Sequence, residues 1–235
     1  MNNHAEPLYS DDPLSYLPRR QVREFAKNRV IYSPLQPSDH LYVVILGRVK
    51  LATAAEDGCQ TIARIVCTEG LFGEASLIAP RASAETATAL DAVSLMSWSR
   101  NEIEQHIERE PSLGLALTQY MVRQCLVLQD RIESMAIHKT PERVMLALIQ
   151  LAETLGTPMP DGSVRISALT HYAIAEYVGT SREIVTFQMN RLRRLGMLRY
   201  SRRSIEVYAQ ALAESLRQQG VSVHHSAAAA ALAAG

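Results

Sequence analysis

The chain is poor in several residue types, and each scarcity excludes something. Its 235 residues include three cysteines, one tryptophan and three phenylalanines. Cys59, Cys67 and Cys125 are odd in number and follow no metal-ligand spacing. That argues against a disulfide framework and against an iron–sulfur cluster, which needs four thiolates as a rule, and it fits a reducing cytoplasm. Each cysteine is expected to be a small buried apolar side chain. No apolar run reaches the roughly 18 residues needed to cross a bilayer, so no membrane partner is expected. The opening "MNNHAEPLYSDDPLSYLPRR" lacks the basic-then-apolar order of a secretory signal. Net charge is missing too, with 24 basic residues against 24 acidic ones. What remains is a globular composition, 47% apolar and 20% charged, long enough for one large domain or two ordinary ones.

Neutral overall, the chain is not neutral everywhere. The stretch "GTSREIVTFQMNRLRRLGMLRYSRRS", residues 179–204, carries seven arginines and one acid between Arg182 and Arg203. A solvated surface normally mixes its signs, so this excess suggests a polyanionic partner.

Residues 22–100 read as β structure. Runs such as "HLYVVILGRVKLA", "QTIARIVC" and "AVSLMSW" are rich in Val, Ile, Leu and Tyr, and "LQPSD", "EDG" and "TEG" punctuate them. Gly47 and Gly58 suit turns or bulges. The spacing predicts an antiparallel jelly-roll barrel over 21–110, behind an N-terminal arm at 1–20. From Ser99, a candidate N-cap, the period changes to that of a helix. Pro111 then opens a long helix at 111–137. Along it Met121, Cys125, Leu128, Ile132 and Met135 recur at steps of four and three, a heptad seam that predicts a parallel self-paired dimer. After a break near His138–Lys139, read as a domain boundary and hinge, Thr140 is the expected cap of a helix that ends at Gly156. A second domain is expected over 138–210, with a low-complexity tail at 211–235. The fold class is therefore α+β.

The second domain contains "LTHYAIAEYVGTSREIVTFQMNRLRRLGML", two helical patterns around a three-residue turn. Ala173, Ile174, Tyr177 and Val178 form the apolar face of the first. Gly179 permits the turn, and Ser181 caps the second. Val185, Met189, Leu192 and Leu195 keep the 3.6-residue period and are expected to face the core. The opposite face presents Arg182, Glu183, Thr186, Phe187 and Asn190. A helix-turn-helix needs this phasing, because the first turns of its second helix reach base edges in the major groove. Arg182 suits guanine O6 and N7, Glu183 suits cytosine N4, and Thr186 suits a base or a phosphate. Phe187 suits a thymine methyl. Arg191, Arg193 and Arg194 fall where phosphates pass. "LRYSRRSIEVY" reads as a wing hairpin with Arg202 and Arg203 at its tip, against the DNA backbone.

Barrel, long helix and winged helix-turn-helix in this order resemble the Crp/Fnr superfamily of bacterial transcription regulators, over about residues 20–208. "TSREIV" at 180–185 resembles the family's recognition-helix opening, and "FGEASL" at 72–77 its effector-pocket signature. The resemblance implies a homodimer that reads a palindromic site in double-stranded DNA and contacts RNA polymerase, with Arg182 and Glu183 reading bases. Phe187 departs from the cyclic-AMP receptor branch, which has a second base-reading arginine there. A half-site keeping a guanine for Arg182 but differing nearby is expected.

The same resemblance defines an effector pocket, which this chain alters. Gly73 and Glu74 match the ribose grip. The phosphate-arginine position falls near Ser83, with Arg81 two residues early and Glu85 adding a negative charge that opposes an anion. Leu128 and Gln129 stand where adenine-binding relatives place a Thr-Ser pair. An effector other than cyclic AMP, or none, is therefore expected. The alternative is a cyclic-nucleotide-responsive activator with a shifted phosphate cassette, using Glu74 and Arg81. A haem sensor would need His40, His106 or His138 beside a cavity. An enzyme of the metal-dependent jelly-roll type would need clustered His and carboxylate ligands, and the strands hold His40 with no His-x-His pair. No cofactor, metal or catalysis is expected. A cyclic-nucleotide module without DNA contact is opposed by the basic C-terminal domain.

Overall fold

The run "HLYVVIL" forms β3 (His40–Leu46), and its residues choose partners with the two-residue period of a strand. Leu41 and Val43 join Leu71, Trp98, Ile103, Leu113 and Leu117 on one side. Tyr42 and Val44 join Tyr32, Val49, Leu51, Phe72 and Leu95 on the other. All four are buried because both faces of the strand have an apolar cover. The computed structural model describes residues 12–55, 60–79, 84–167, 169–201 and 204–222.

Around β3 lie β1 (Arg23–Phe25), β2 (Val30–Tyr32), β4 (Val49–Ala54), β5 (Gln60–Val66), β6 (Leu71–Phe72), β7 (Glu85–Ala89) and β8 (Val93–Ser99). They make two antiparallel four-stranded sheets, ordered β1-β8-β3-β6 and β2-β7-β4-β5, which share one inner cluster. This is the double sheet of a jelly roll. Its interior holds a stack of aromatic rings, Tyr42 on Phe72 at 5.0 Å and Tyr32 on Tyr42 at 5.9 Å. Gly73 follows β6 with φ +82°, and a Cβ there would lie 2.6 Å from the His40 carbonyl oxygen, so only glycine fits. The predicted turn glycine Gly58 and the third cysteine, Cys59, lie outside the described residues.

Ser99 caps α1 (Arg100–Arg109) through a reciprocal box in which Glu102 accepts from the Ser99 backbone at 2.8 Å. Pro111 then starts α2 (Pro111–Ile137). Its fully buried residues, Leu113, Ala116 and Leu117, all lie in its first third. Beyond that the apolar stripe emerges: Leu128 is 45% and Ile132 68% exposed. Cys125 is exposed, against the expectation of a buried thiol, because it lies on this unpacked part of the helix. Cys67 is the more enclosed thiol, and burial pushes its pKa up to about 11.

The next helix, α3 (Thr140–Leu155), begins one residue earlier than expected. Thr140 is its first helical residue rather than its cap; the exposed Lys139 backbone N–H is held instead by the Glu142 carboxylate at 2.8 Å. Beyond α3 come β9 (Gly156–Pro158), β10 (Val164–Ser167), α4 (His171–Val178), α5 (Arg182–Arg194), β11 (Leu198–Tyr200), β12 (Ser204–Val207) and α6 (Ala209–Gln218). The strands form one antiparallel sheet, β11-β12-β10-β9. α6 buries Leu212, Ala213 and Leu216, and Val221 follows them into the core. Packed chain thus continues to Val221, past the tail boundary expected at 211. The Leu212–Leu216 pair at helical spacing carries it. Ala52, Ile62 and Ile65, from the barrel's β4 and β5, share one apolar cluster with the helices of this second unit.

Candidate nucleic-acid interface

Two helices and the turn between them build the site. Thr170 accepts from the Ala173 N–H at 3.0 Å and starts α4. Gly179 ends it at φ +72°, its N–H and that of Thr180 both returning to the Ala175 carbonyl. Ser181 then accepts from the Ile184 N–H and starts α5. Val185, Met189 and Leu192 are buried, as the 3.6-residue period requires. Leu195 is not: it is 57% exposed, because α5 stops at Arg194 and the chain turns at Gly196. Gln188 is buried instead, which the pattern did not show.

On the outer face the predicted residues separate into two groups. Arg182, Glu183 and Phe187 are exposed. Glu183 sits in the first turn, where a hydrogen bond from its own backbone N–H and then one from Ser181 hold its carboxyl below the usual range. Thr186 and Asn190 are half-buried and occupied. Thr186 Oγ1 meets His171 Nδ1 at 3.0 Å, and Tyr200 donates its hydroxyl to Asn190 Oδ1 at 2.7 Å. His171 meets the Tyr200 ring edge-on at 5.3 Å, and the Arg193 guanidinium lies 5.1 Å over the same ring. These contacts join α4, α5 and β11. Thr186 and Asn190 thus already have side-chain partners on α4 and β11, Asn190 through its carbonyl oxygen. No sequence signal singled out His171 or Tyr200, since the chain brings them together from 29 positions apart only in the fold.

The arginine cluster separates likewise. Arg182, Arg191 and Arg194 are exposed, with no ion pair among the described residues. Arg199 is neutralised, paired with Asp161 and with Glu206 and lying over the Tyr208 ring at 5.4 Å. Arg202 and Arg203 lie outside the described residues, between strands β11 and β12 of the wing.

The barrel pocket is organised differently. Glu74 Oε1 accepts from Arg64 Nη2 at 2.7 Å, and the same nitrogen reaches the Leu71 carbonyl. Tyr120 of α2 bonds both backbone groups of Leu71. Glu85, expected to oppose a phosphate, accepts from the Tyr32 hydroxyl at 2.6 Å. Arg64 was not anticipated; a lone arginine in an apolar strand, "QTIARIVC", was its signal. Leu128 and Gln129 are exposed on α2. Arg81 and Ser83 lie outside the described residues. The cavity beside Gly73, lined by Tyr32, Ser38, His40 and Ser76, measures about 10 Å³, the space of one water molecule. Among the described residues no group of three His, Cys, Asp or Glu side chains is placed to hold a metal, and no helix is long and apolar enough to cross a membrane.

A capped, turn-linked helix pair with a β wing, behind a jelly-roll barrel and a long helix, defines a winged helix-turn-helix regulator with a cyclic-nucleotide-binding-like domain. Family comparison agrees in both halves: residues 22–110 match the cyclic nucleotide-binding domain and 142–214 the Crp-like helix-turn-helix domain. A transcriptional regulator, SdrP, from Thermus thermophilus is 32% identical over 76% of this chain and 87% of its own length. A CRP-like cAMP-activated global transcriptional regulator of Mycobacterium tuberculosis is 28% identical over 79% of this chain and 83% of its own. A solved CRP/FNR-family regulator of Thermus thermophilus, TTHA1359, superposes with a TM-score of 0.68 at 29% identity, covering 83% of this chain and 97% of that one. The chain belongs to the CRP/FNR family of DNA-binding transcription regulators, which are not enzymes.

Proposed function

We propose that the chain acts in the cytoplasm as a homodimer, paired along the α2 seam, and reads a palindromic DNA site through α5. One observation carries this reading. Arg182 and Glu183 stand exposed at the capped N-terminus of α5 while Val185, Met189 and Leu192 fix the opposite face in the core. Arg182 then reads a guanine, Glu183 a cytosine and Phe187 a thymine methyl. Arg191 and Arg194 meet phosphates, as Arg202 and Arg203 are expected to do from the wing. Met121, Cys125, Leu128, Ile132 and Met135 form the seam. RNA polymerase is the further partner that the family implies.

The effector, if one exists, is not cyclic AMP on this reading. Arg64 already occupies Glu74, and the aromatic stack fills the barrel between its sheets. A second reading keeps a cyclic nucleotide on Glu74 and Arg81. It is favoured by the Glu74 Oε2 atom, which is buried without a partner, and by the cAMP-activated relative. Calorimetric titration with cyclic AMP separates the two: heat at a stoichiometry of one per chain supports the second reading, and no heat supports the first.

Randomised-site selection tests the DNA reading. Replacing Arg182 by Ala should cost about 1–3 kcal/mol on the selected site and relax preference at one base pair. Unchanged selectivity would refute the assignment.

A further inference from the structure

Arg131 of α2 ties its own helix to two other parts of the chain, β5 and α4, with one guanidinium. Its Nη1 donates to the Ala63 carbonyl in β5 at 2.6 Å, and its Nη2 donates to the Tyr177 carbonyl in the last turn of α4. The Tyr177 ring lies against the guanidinium face, 4.6 Å away. The last carbonyls of a helix have no partner inside it and carry partial negative charge, so a cation there is favoured twice. Beside the arginine, Lys50 Nζ of β4 reaches Glu176 Oε2 of α4 at 3.4 Å. Ala52, Ile62 and Ile65 pack into the same apolar cluster as Ile174, Ala175 and Val178. One helical turn on, Met135 lies near Gly179, at the turn between the two DNA-reading helices.

Arg131 therefore sits on the stretch of α2 that exposes Leu128 and Ile132, while holding its own chain's DNA-reading unit. α4 leads into α5 across three residues, 179–181, so the orientation of α4 decides where Arg182 points. Without the clamp, the covalent link at His138–Lys139 would leave that orientation to the packing of α4 on β5. With it, α4 is tied to the dimer helix and the barrel at one angle. The planar fork and stacked face are properties of arginine that lysine does not reproduce.

We propose that Arg131 is a positioning residue for DNA recognition: by locking α4 to α2 and β5 it sets the distance between the two recognition helices, and so the half-site spacing. This rests on the reading as a dimer bound to a palindrome. One extra base pair moves a half-site by about 3.4 Å and rotates it by about 34°. A rigid pair of helices therefore rejects it, whereas a loosened pair tolerates it.

The test uses the full chain as wild type, Arg131→Ala, Arg131→Lys and Arg182→Ala, against palindromes whose half-site spacing varies by single base pairs. Dimerisation is followed by sedimentation and folding by thermal melting. Wild type should prefer one spacing by about tenfold or more, and both Arg131 variants, as folded dimers, should flatten that to about threefold while keeping the same preferred bases. Arg182→Ala should do the reverse. If Arg131→Ala does not fold, Arg131→Lys, which keeps the stem and the charge, decides the matter alone. Arg131 variants with the wild-type spacing preference overturn the proposal, as does a parallel loss of spacing, base preference and thermal stability. If wild type itself selects single half-sites, the palindrome reading fails first and removes the basis of the spacing claim.

Discussion

The two polar sites of this chain are built on opposite rules. In the barrel, Arg64 pairs with Glu74, Tyr32 with Glu85, and Tyr120 with the Leu71 backbone, beside a stack of aromatic rings. On α5, Arg182, Glu183 and Phe187 face outward, and the side chains beneath them are locked by His171 and Tyr200. An internally paired site contributes to stability and must break its own bonds to admit a ligand. An open site contributes little to stability and keeps its donors and acceptors for a partner. On the proposed reading the contrast teaches that the α5 side chains offered to DNA need no rearrangement, whereas an effector that takes both oxygens of Glu74 competes with Arg64.

Replacing Glu74 by Ala breaks the first half of that comparison. It leaves a largely buried guanidinium without its carboxylate and should destabilise the chain by about 2–3 kcal/mol, below the range for a fully buried pair because both side chains keep some solvent contact. Arg182→Ala should change stability by no more than about 0.5 kcal/mol, as surface substitutions do. Urea unfolding of the two variants measures both. Equal effects would abolish the distinction between a self-satisfied pocket and an open reading face.

A smaller change probes the second half. Tyr200→Phe removes only the hydroxyl that Asn190 accepts, with the ring still available to His171 and Arg193. The lost hydrogen bond should cost about 1 kcal/mol of stability. Binding should weaken similarly on every DNA sequence, with base preference unchanged, because Asn190 on this view supports α5 rather than reading a base. A shift of preference at one base pair, measured by competition binding, would return Asn190 to the reading face.

Much of the architecture was legible because its signals are local. Period-two runs gave the barrel, Ser99 and Pro111 gave the helix starts, and Gly179 with Ser181 gave the reading turn. Arg182, Glu183 and Phe187 followed from phase alone once Val185, Met189 and Leu192 were assigned inward. The misses share a physical cause. Leu195 kept the period after the helix had ended, and a periodic pattern does not announce its own last turn. Thr140 looked like a cap, but Glu142 supplies the function from inside the helix. Arg64, His171, Tyr200 and Arg131 act through partners on other elements, from 7 to 68 positions away, which no helix or strand spacing rule reaches. Arg131, like Arg64 in its apolar strand, left a local trace: no acid lies three or four positions from it on the helix, so its charge is answered from another element.

The smallest expected effect concerns pH. Burial, and then the positive charge of Arg182, hold the His171 pKa below the ordinary value. The unfolded chain, with an ordinary histidine near 6.5, therefore takes up this proton at a higher pH than the folded chain. Stability from the neutral ring is present above about pH 6.5 and declines as pH falls through the folded value, where the imidazole would face Arg182 as a second cation. His171→Gln keeps a polar side chain at Thr186 without titrating. Between pH 7.5 and 5.5 the wild-type urea midpoint should fall further than that of His171→Gln, by a difference worth a few tenths of a kcal/mol, since the ring is only partly buried. Identical falls would mean that the ring does not feel Arg182, and that the open face is electrically separate from the network beneath it.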